Sequence, residues 1–340
     1  MPRKSDGGGQ KPGGRGRPAL GEGETPSLPE LCARAPGKLF LSGEYAVLRG
    51  APAVACAVGR HVEASFLSRN TAEDHEAERW RLAAGEILLR HGLAPAPADR
   101  ALKIESRALY SAGGIKLGFG SSAAVAVAVT GLLLAAQDRR FLDADRLRIA
   151  DDLHRALQGP GGSGVDVAAS LHGGVIAVEG DRVESLRWPN GLYCEVIFTG
   201  RDADTADAIG RFQEALQGGA RAHLRALCAA AEAARQAWNR SPEAIVAAVQ
   251  EYAAVWRKLD RSAGLGVFSR EHRRLESLAR AADCVYKPSG SGGGDCGLAF
   301  STDRGRLDAL RVSAREAGFL PLAVDFGVEG LRVGRQSDCA

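Results

Sequence analysis

The sequence predicts an α+β protein, with a mixed N-terminal half and a C-terminal half made of a helical layer plus a strand–helix–strand unit. Three observations predict it. Apolar runs separated by Gly-containing turns fill Cys32–Ser68 and signal strands. After Gly200 come three alanine-rich helical stretches and then a fourth helix. Strand-like runs return at Gly297–Ser301, Leu320–Val324 and Gly330–Val333, with a helix at Arg304–Ala317 after the first.

Taken in order, residues 1–30 are rich in Gly, Pro, Arg and Glu and nearly devoid of large apolar side chains. They cannot offset the entropy of ordering and read as a disordered leader. Strands are predicted at Lys38–Ser42, Ala51–Val58 and His61–Leu67. Trp80, Leu82, Ile87 and Leu88 give Glu76–His91 the apolar set of an amphipathic helix, and Leu102–Ser106 is a short strand. Ser121–Gln137 is apolar nearly all round and opens with two serines, which predicts a buried helix with a capped N-terminus. A helix over Asp145–Leu157 and strands at Val175–Val178 and Tyr193–Thr199 follow, then helices at Thr205–Gln217, Ala220–Ala237, Pro242–Leu259 and Arg270–Ala282. The expected division is a leader (1–30), an N-terminal domain (31–190) and a C-terminal domain (191–340).

A chain of 340 residues exceeds the usual size of one hydrophobic core, so one large or two associated domains are expected. A net charge of +3 with dispersed basic residues argues against nucleic acid as a partner. The seven cysteines include no C-x-x-C pair, which favours reduced thiols over a disulfide framework or zinc site. No apolar run approaches the roughly 18 residues of a membrane span, and no secretory signal is seen, so the expected compartment is cytoplasmic.

Three Gly/Ser-rich segments carry the chemistry: Ala35-Pro-Gly-Lys-Leu-Phe-Leu-Ser-Gly-Glu-Tyr-Ala-Val-Leu48, Lys116-Leu-Gly-Phe-Gly-Ser-Ser-Ala-Ala124 and Lys287-Pro-Ser-Gly-Ser-Gly-Gly-Gly-Asp-Cys-Gly297. Only seven of the 44 basic residues are lysine, yet Lys38, Lys116 and Lys287 all fall in these segments. A compact, mobile ammonium is what those places select. In the second segment, glycines permit close backbone approach and the following helix offers unpaired amides, together an anion site suited to phosphate. Taken alone it reads equally well as a tight turn with a serine cap. It is neither a Walker loop nor a dinucleotide fingerprint, since Gly-Lys-Ser/Thr and the third glycine are missing.

In this order and spacing the three segments resemble the signature motifs of the GHMP kinases, and the resemblance runs from about Ala33 to the last strand. It implies the GHMP kinase fold, with a ribosomal-protein-S5-like N-terminal domain and a ferredoxin-like C-terminal domain bearing extra helices. It also implies ATP and Mg²⁺ as cofactors. By that resemblance Lys116, Gly118, Phe119, Gly120, Ser121, Ser122, Ala123 and Ala124 bind ATP, with Ser122 as the Mg²⁺ ligand. Asp166 matches the family's catalytic aspartate and Lys38 is its expected neighbour. The acceptor falls to Lys38, Ser42, Glu44, Tyr45, Ser163, Gly164, Thr205, Lys287, Ser291 and Gly292, with Tyr45 equally able to plug the core.

Within the family, Gly43-Glu44-Tyr45, Lys116, Gly294-Asp295-Cys296-Gly297 and Gln158-Gly-Pro-Gly-Gly-Ser-Gly-Val-Asp-Val-Ala168 are similar to the phosphomevalonate kinases. The implied reaction is phosphoryl transfer from ATP to 5-phosphomevalonate, giving 5-diphosphomevalonate, by a monomer or homodimer. The alternatives are a kinase acting on the hydroxyl of mevalonate or a sugar, a non-catalytic binding protein, and a decarboxylase of the diphosphate product. Phe198-Thr-Gly-Arg-Asp-Ala-Asp-Thr205 resembles a Thr-Gly-x-x-Ala-x-Thr segment, but Asp202 and Asp204 place carboxylates where an anionic substrate would be repelled. The glutamate that mevalonate kinases carry before Ser-Gly-x-Asp has no counterpart in Leu153–Gln158, and Asp151 and Asp152 lie further upstream. A phosphate acceptor, with a second pKa of about 6, needs little deprotonation, so Asp166 is expected mainly to position Lys38 and the acceptor. Arg49, Arg69 and Arg201 are candidates for gripping the acceptor phosphate. His154 and His172 lie near the motifs, and a lone histidine is more often structural.

Overall fold

The computed structural model describes residues 31–67, 71–95, 100–137, 139–159, 161–203, 205–217 and 220–339. The predicted leader, Arg69, Asp204 and the side chain of Thr205 lie outside what it describes.

The fold is α+β, with two antiparallel sheets. The strands β1 (Leu31–Ser42), β2 (Ala53–Phe66), β3 (Leu102–Glu105), β4 (Val175–Glu179), β5 (Arg182–Leu186) and β10 (Arg332–Arg335) form the first. Its order is β10-β1-β2-β4-β5, with β3 also on β2. Ser65 of β2 faces Lys103 of β3, whereas Ala55 faces Ile176 of β4, so one long strand serves two partners. The two strands predicted at 51–58 and 61–67 are thus one of 14 residues. Gly59 does not end it, because its amide donates to the Asp325 carbonyl at 2.9 Å.

Four helices pack on this sheet: α1 (His75–Arg90), α2 (Ser121–Ala135), α3 (Asp143–Gln158) and α4 (Val165–His172). The second is buried at every position from Ala123 to Leu134. Its alanines and valines suit an axis pressed between sheet and helices, where bulk on any side would clash. The serine cap predicted for it is absent: Gly120, at φ 69°, is the N-cap, with no side-chain cap bond.

The second sheet contains β6 (Tyr193–Phe198), β7 (Val285–Pro288), β8 (Cys296–Ser301) and β9 (Leu320–Leu322), in the order β7-β8-β6-β9. Successive residues of a strand point to opposite faces. Accordingly Cys296, Leu298 and Phe300 join the main core, while Ala299 packs with Leu275 and Leu310. Leu275 belongs to α8 (Arg270–Ala281) and Leu310 to α9 (Arg304–Glu316), which cover that outer face. Three longer helices complete this half: α5 (Thr205–Gln217), α6 (Arg221–Ala237) and α7 (Pro242–Ala263). Phe212, Leu227, Tyr252 and Trp256 from these three build a core that also holds Tyr45 and Phe268.

Unpredicted elements include α4, β5 and β7. Each is eight residues or fewer, and α4 and β5 follow glycine-bearing turns that mask periodicity. The last strand does not join the second sheet but pairs with β1, Cys32 facing Gly334. Cys56, Cys194, Cys228, Cys284 and Cys296 are free thiols, whereas Cys32 is disulfide-bonded, so reduced thiols are not uniform. Among the described residues no helix is long and apolar enough to cross a membrane.

Candidate active site

The second segment is a loop leading into α2, and its glycines are required by what lies against them. Gly120 has φ +69°, and a Cβ there would stand 2.6 Å from the Lys38 Cε. Lys38 therefore lies across the mouth of the helix, and its backbone amide donates to the Phe119 carbonyl at 2.8 Å. Gly118 has φ +80°, and a Cβ there would collide with the Asp295 side chain of the third segment. An L side chain at either position meets both a strained backbone and an occupied space.

These contacts bring the three segments together at the start of α2. Lys38 is 7% exposed, its ammonium 5.0 Å from the Phe40 ring centroid. Asp295 has a positive φ of 55°. It is clamped by three contacts: its Oδ1 accepts from the Ala203 amide at 3.1 Å, its amide donates to the Arg201 carbonyl, and its carbonyl accepts from Thr199. Burial pushes its carboxyl up to about 6, against the Ala203 amide and the charges of Lys38 and Lys116, which favour ionisation. Asp202, exposed on the same loop, pushes it further up.

Asp166 sits in the first turn of α4, behind Gly164 at φ 73°. Its Oδ1 accepts from the Val167 amide at 3.0 Å, and its Oδ2 is 3.9 Å from the His154 Nε2. The same nitrogen is 3.1 Å from the Ser122 Oγ. The hydroxyl expected to help cap α2 is thus turned to a histidine on α3. That histidine is the site residue that sequence reasoning passed over as structural; its spacing four residues before Gln158 was the available signal. His172, at the end of α4, is exposed.

Other predicted contacts stand differently. Lys287 is wholly buried, its Nζ 2.5 Å from the Glu44 Oε1 and 3.1 Å from the Phe40 carbonyl. Glu44 is 3% exposed, and its carbonyl accepts from the Tyr252 hydroxyl at 2.7 Å. Burial raises the Glu44 carboxyl and lowers the Lys287 ammonium, and each charge is held by the other. These two residues are therefore corrected from substrate contacts to a buried pair tying the first segment to the third. Tyr45 resolves in the same direction: 5% exposed, it packs on Phe212 and Trp256 and donates to the Ser291 carbonyl at 2.7 Å. Ser42 is also buried, with no hydrogen-bond partner for its hydroxyl. Gly292 packs against Val267. Phe119, Ala123 and Ala124 turn their side chains into the core, which leaves only their backbone for a ligand.

Lys116, Ser121, Ser122, Ser163, Gly164 and Asp166 retain exposure. Arg201 is exposed, 3.8 Å from Glu271, and Arg49 is exposed too. His272, fully buried on α8, supports the third segment by contacts to the Tyr286 hydroxyl at 2.8 Å and the Gly294 carbonyl at 2.9 Å. Burial lowers its pKa to about 4. A separate cavity of about 260 Å³ lies elsewhere, beside Trp188, Glu195 and Arg311, and none of the three segments lines it.

A glycine-bearing loop opening α2 with a lysine across it is an arrangement suited to an anion, and residues 82–174 match the GHMP kinases N terminal domain. Beyond that segment, the chain is similar to kinases of this family over most of its length. Among its relatives, the phosphomevalonate kinase of Streptomyces sp. (strain CL190) is 29% identical, covering 88% of this chain and 98% of the relative. The mevalonate kinase of Pyrococcus abyssi is 26% identical, covering 90% and 98%. Streptococcus pneumoniae phosphomevalonate kinase in complex with phosphomevalonate and AMPPNP superposes with a TM-score of 0.73 at 18% identity, covering 87% and 99%.

Proposed function

We propose that this chain transfers the γ-phosphoryl group of ATP to 5-phosphomevalonate. The observation that carries the reading is Lys38, held between Gly120 and the Phe119 carbonyl where the three glycine-bearing segments meet. Phosphoryl transfer asks for alignment and charge neutralisation more than covalent help. In this reading Lys38, Lys116 and the unpaired amides opening α2 neutralise the triphosphate. Among the described residues no cluster of three or more His, Cys, Asp or Glu side chains is arranged to hold a metal. That donor set still fits Mg²⁺, which takes one or two protein oxygens and completes its shell with phosphates and water. Ser122 would hold it, and the ion would add positive charge beside the transferring group.

Asp166 forms no ion pair with Lys38 and in this reading orients the acceptor alone, whose phosphate oxygen is largely ionised near neutral pH, its second pKa being about 6. Glu44 and Lys287 act as a strut, and Ser163, Gly164 and Thr205 remain candidates for the acceptor. A hydroxyl acceptor is the second reading, favoured by the mevalonate kinases at similar coverage and by the exposed carboxylate of Asp202. Measuring ADP release with mevalonate, 5-phosphomevalonate and several sugars separates the two. Turnover confined to 5-phosphomevalonate is the expected result; preference for mevalonate would overturn it.

A further inference from the structure

One nitrogen faces side chains at two helix N-termini. The His154 Nε2 is 3.1 Å from the Ser122 Oγ in the first turn of α2 and 3.9 Å from the Asp166 Oδ2 in the first turn of α4. His154 itself is 8% exposed, so its polar atoms depend on protein partners rather than on bulk water. A carboxylate cannot donate, and Asp166 already commits Oδ1 to the Val167 amide, which leaves Oδ2 as its uncommitted oxygen. An N–H on Nε2 is the tautomer that bonds the Ser122 Oγ and presents positive rather than lone-pair character to Oδ2.

With that proton in place, the Ser122 Oγ accepts from the ring. Its own hydroxyl proton and a remaining lone pair stay available to a ligand at the mouth of α2. The same N–H turns its partial positive charge toward Oδ2 at 3.9 Å, beyond hydrogen-bond range, and favours that orientation of the Asp166 carboxylate. A carboxylate in place of the ring would supply no donor and would set a second negative charge beside Asp166. The helical stretch from Leu153 to Gln158 contains no acid, and the position facing both residues is filled by this imidazole.

We infer that His154 is a positioning residue that locks the Ser122 hydroxyl and the Asp166 carboxylate to a common point, so that α2 and α4 act on one bound anion. The inference rests on the kinase reading above. Its test uses the full chain as wild type, His154→Gln, His154→Leu, Ser122→Ala and the His154→Leu/Ser122→Ala double variant. Because the two side chains touch, their effects should be non-additive. His154→Leu should lower kcat by about 30-fold with KM changed less than about threefold, and the double variant should fall no further than about twofold below the worse single. His154→Gln, whose amide returns an N–H, should recover to within about fivefold of wild type.

ADP affinity by titration calorimetry in the same proteins keeps the two readings apart. If wild type binds ADP but turns over no acceptor, the acceptor assignment fails. The coupling is then read from ADP affinity, expected to drop about tenfold in each single variant with no further loss in the double. Should His154→Leu not fold, His154→Asn, too short to reach both partners, replaces it. Multiplying effects in the double variant, or equal losses in His154→Gln and His154→Leu, would overturn the inference.

Discussion

Two junctions meet at the candidate site, and they use the same kinds of residue to opposite ends. Where the first segment meets the third, Glu44 and Lys287 are sealed from solvent and paired to each other. Where the second segment meets α3 and α4, Ser122 and Asp166 keep partial exposure beside a buried His154, and the contacts are longer. A lysine in a glycine-rich motif is thus no sign of ligand contact by itself. What separates strut from site is whether its charge is already satisfied.

The sharpest break in that comparison is Lys38 against Lys287. Lys38→Ala should cut kcat by about 10⁴-fold while leaving the melting temperature nearly unchanged. Asp166→Asn should lose much less, about 10²-fold, because a phosphate acceptor arrives ionised. A larger loss for the aspartate than for the lysine in the same assay would assign it the role of base instead.

Lys287→Met should act on folding, since it strands the Glu44 carboxylate in the interior. A loss of about 3–5 kcal/mol in denaturant unfolding is expected, with kcat per folded molecule preserved. Removing both charges, as Glu44→Gln with Lys287→Met, should return much of that stability.

Asp295 supplies a pH-dependent comparison. Its carboxyl titrates near 6 in the fold against an ordinary value of 3.8, so the folded state binds the proton more tightly than the unfolded chain. Ionisation therefore opposes folding: its contribution falls as pH rises from about 4 to about 6 and stays low above that. Asp295→Asn, which keeps an oxygen for the Ala203 amide, should stabilise the protein at pH 8 by at most about 3 kcal/mol and do nothing at pH 4. Parallel unfolding curves at the two pH values provide the check. The smallest effect belongs to Tyr45→Phe, which loses one hydrogen bond to the Ser291 carbonyl and should cost about 1 kcal/mol by the same method.

Much of this was legible before any coordinates. The unbroken apolar run of α2 and the periodic, alanine-rich pattern of α5 to α7 extend over many residues, and neither signal needs tertiary information. The three segments announced themselves by glycine placement, which reports backbone demands directly. What stayed hidden depends on distance along the chain. Glu44 and Lys287 are 243 positions apart, and nothing local to either says that the other will neutralise it. His154 looked ordinary because its significance lies in where α2 and α4 begin, not in its neighbours on α3. The serine pair misled as a cap for a related reason: Gly120 turns the chain, which leaves the Ser122 hydroxyl for the histidine.

The pairing of β10 with β1 has a consequence for how the molecule is made. Lys38 lies on β1, and one edge of that strand waits for residues some 303 positions later before its last ladder is zipped. During synthesis that edge remains open to any passing strand. Nascent chains stalled short of residue 332 should therefore be the aggregation-prone species, with full-length product spared.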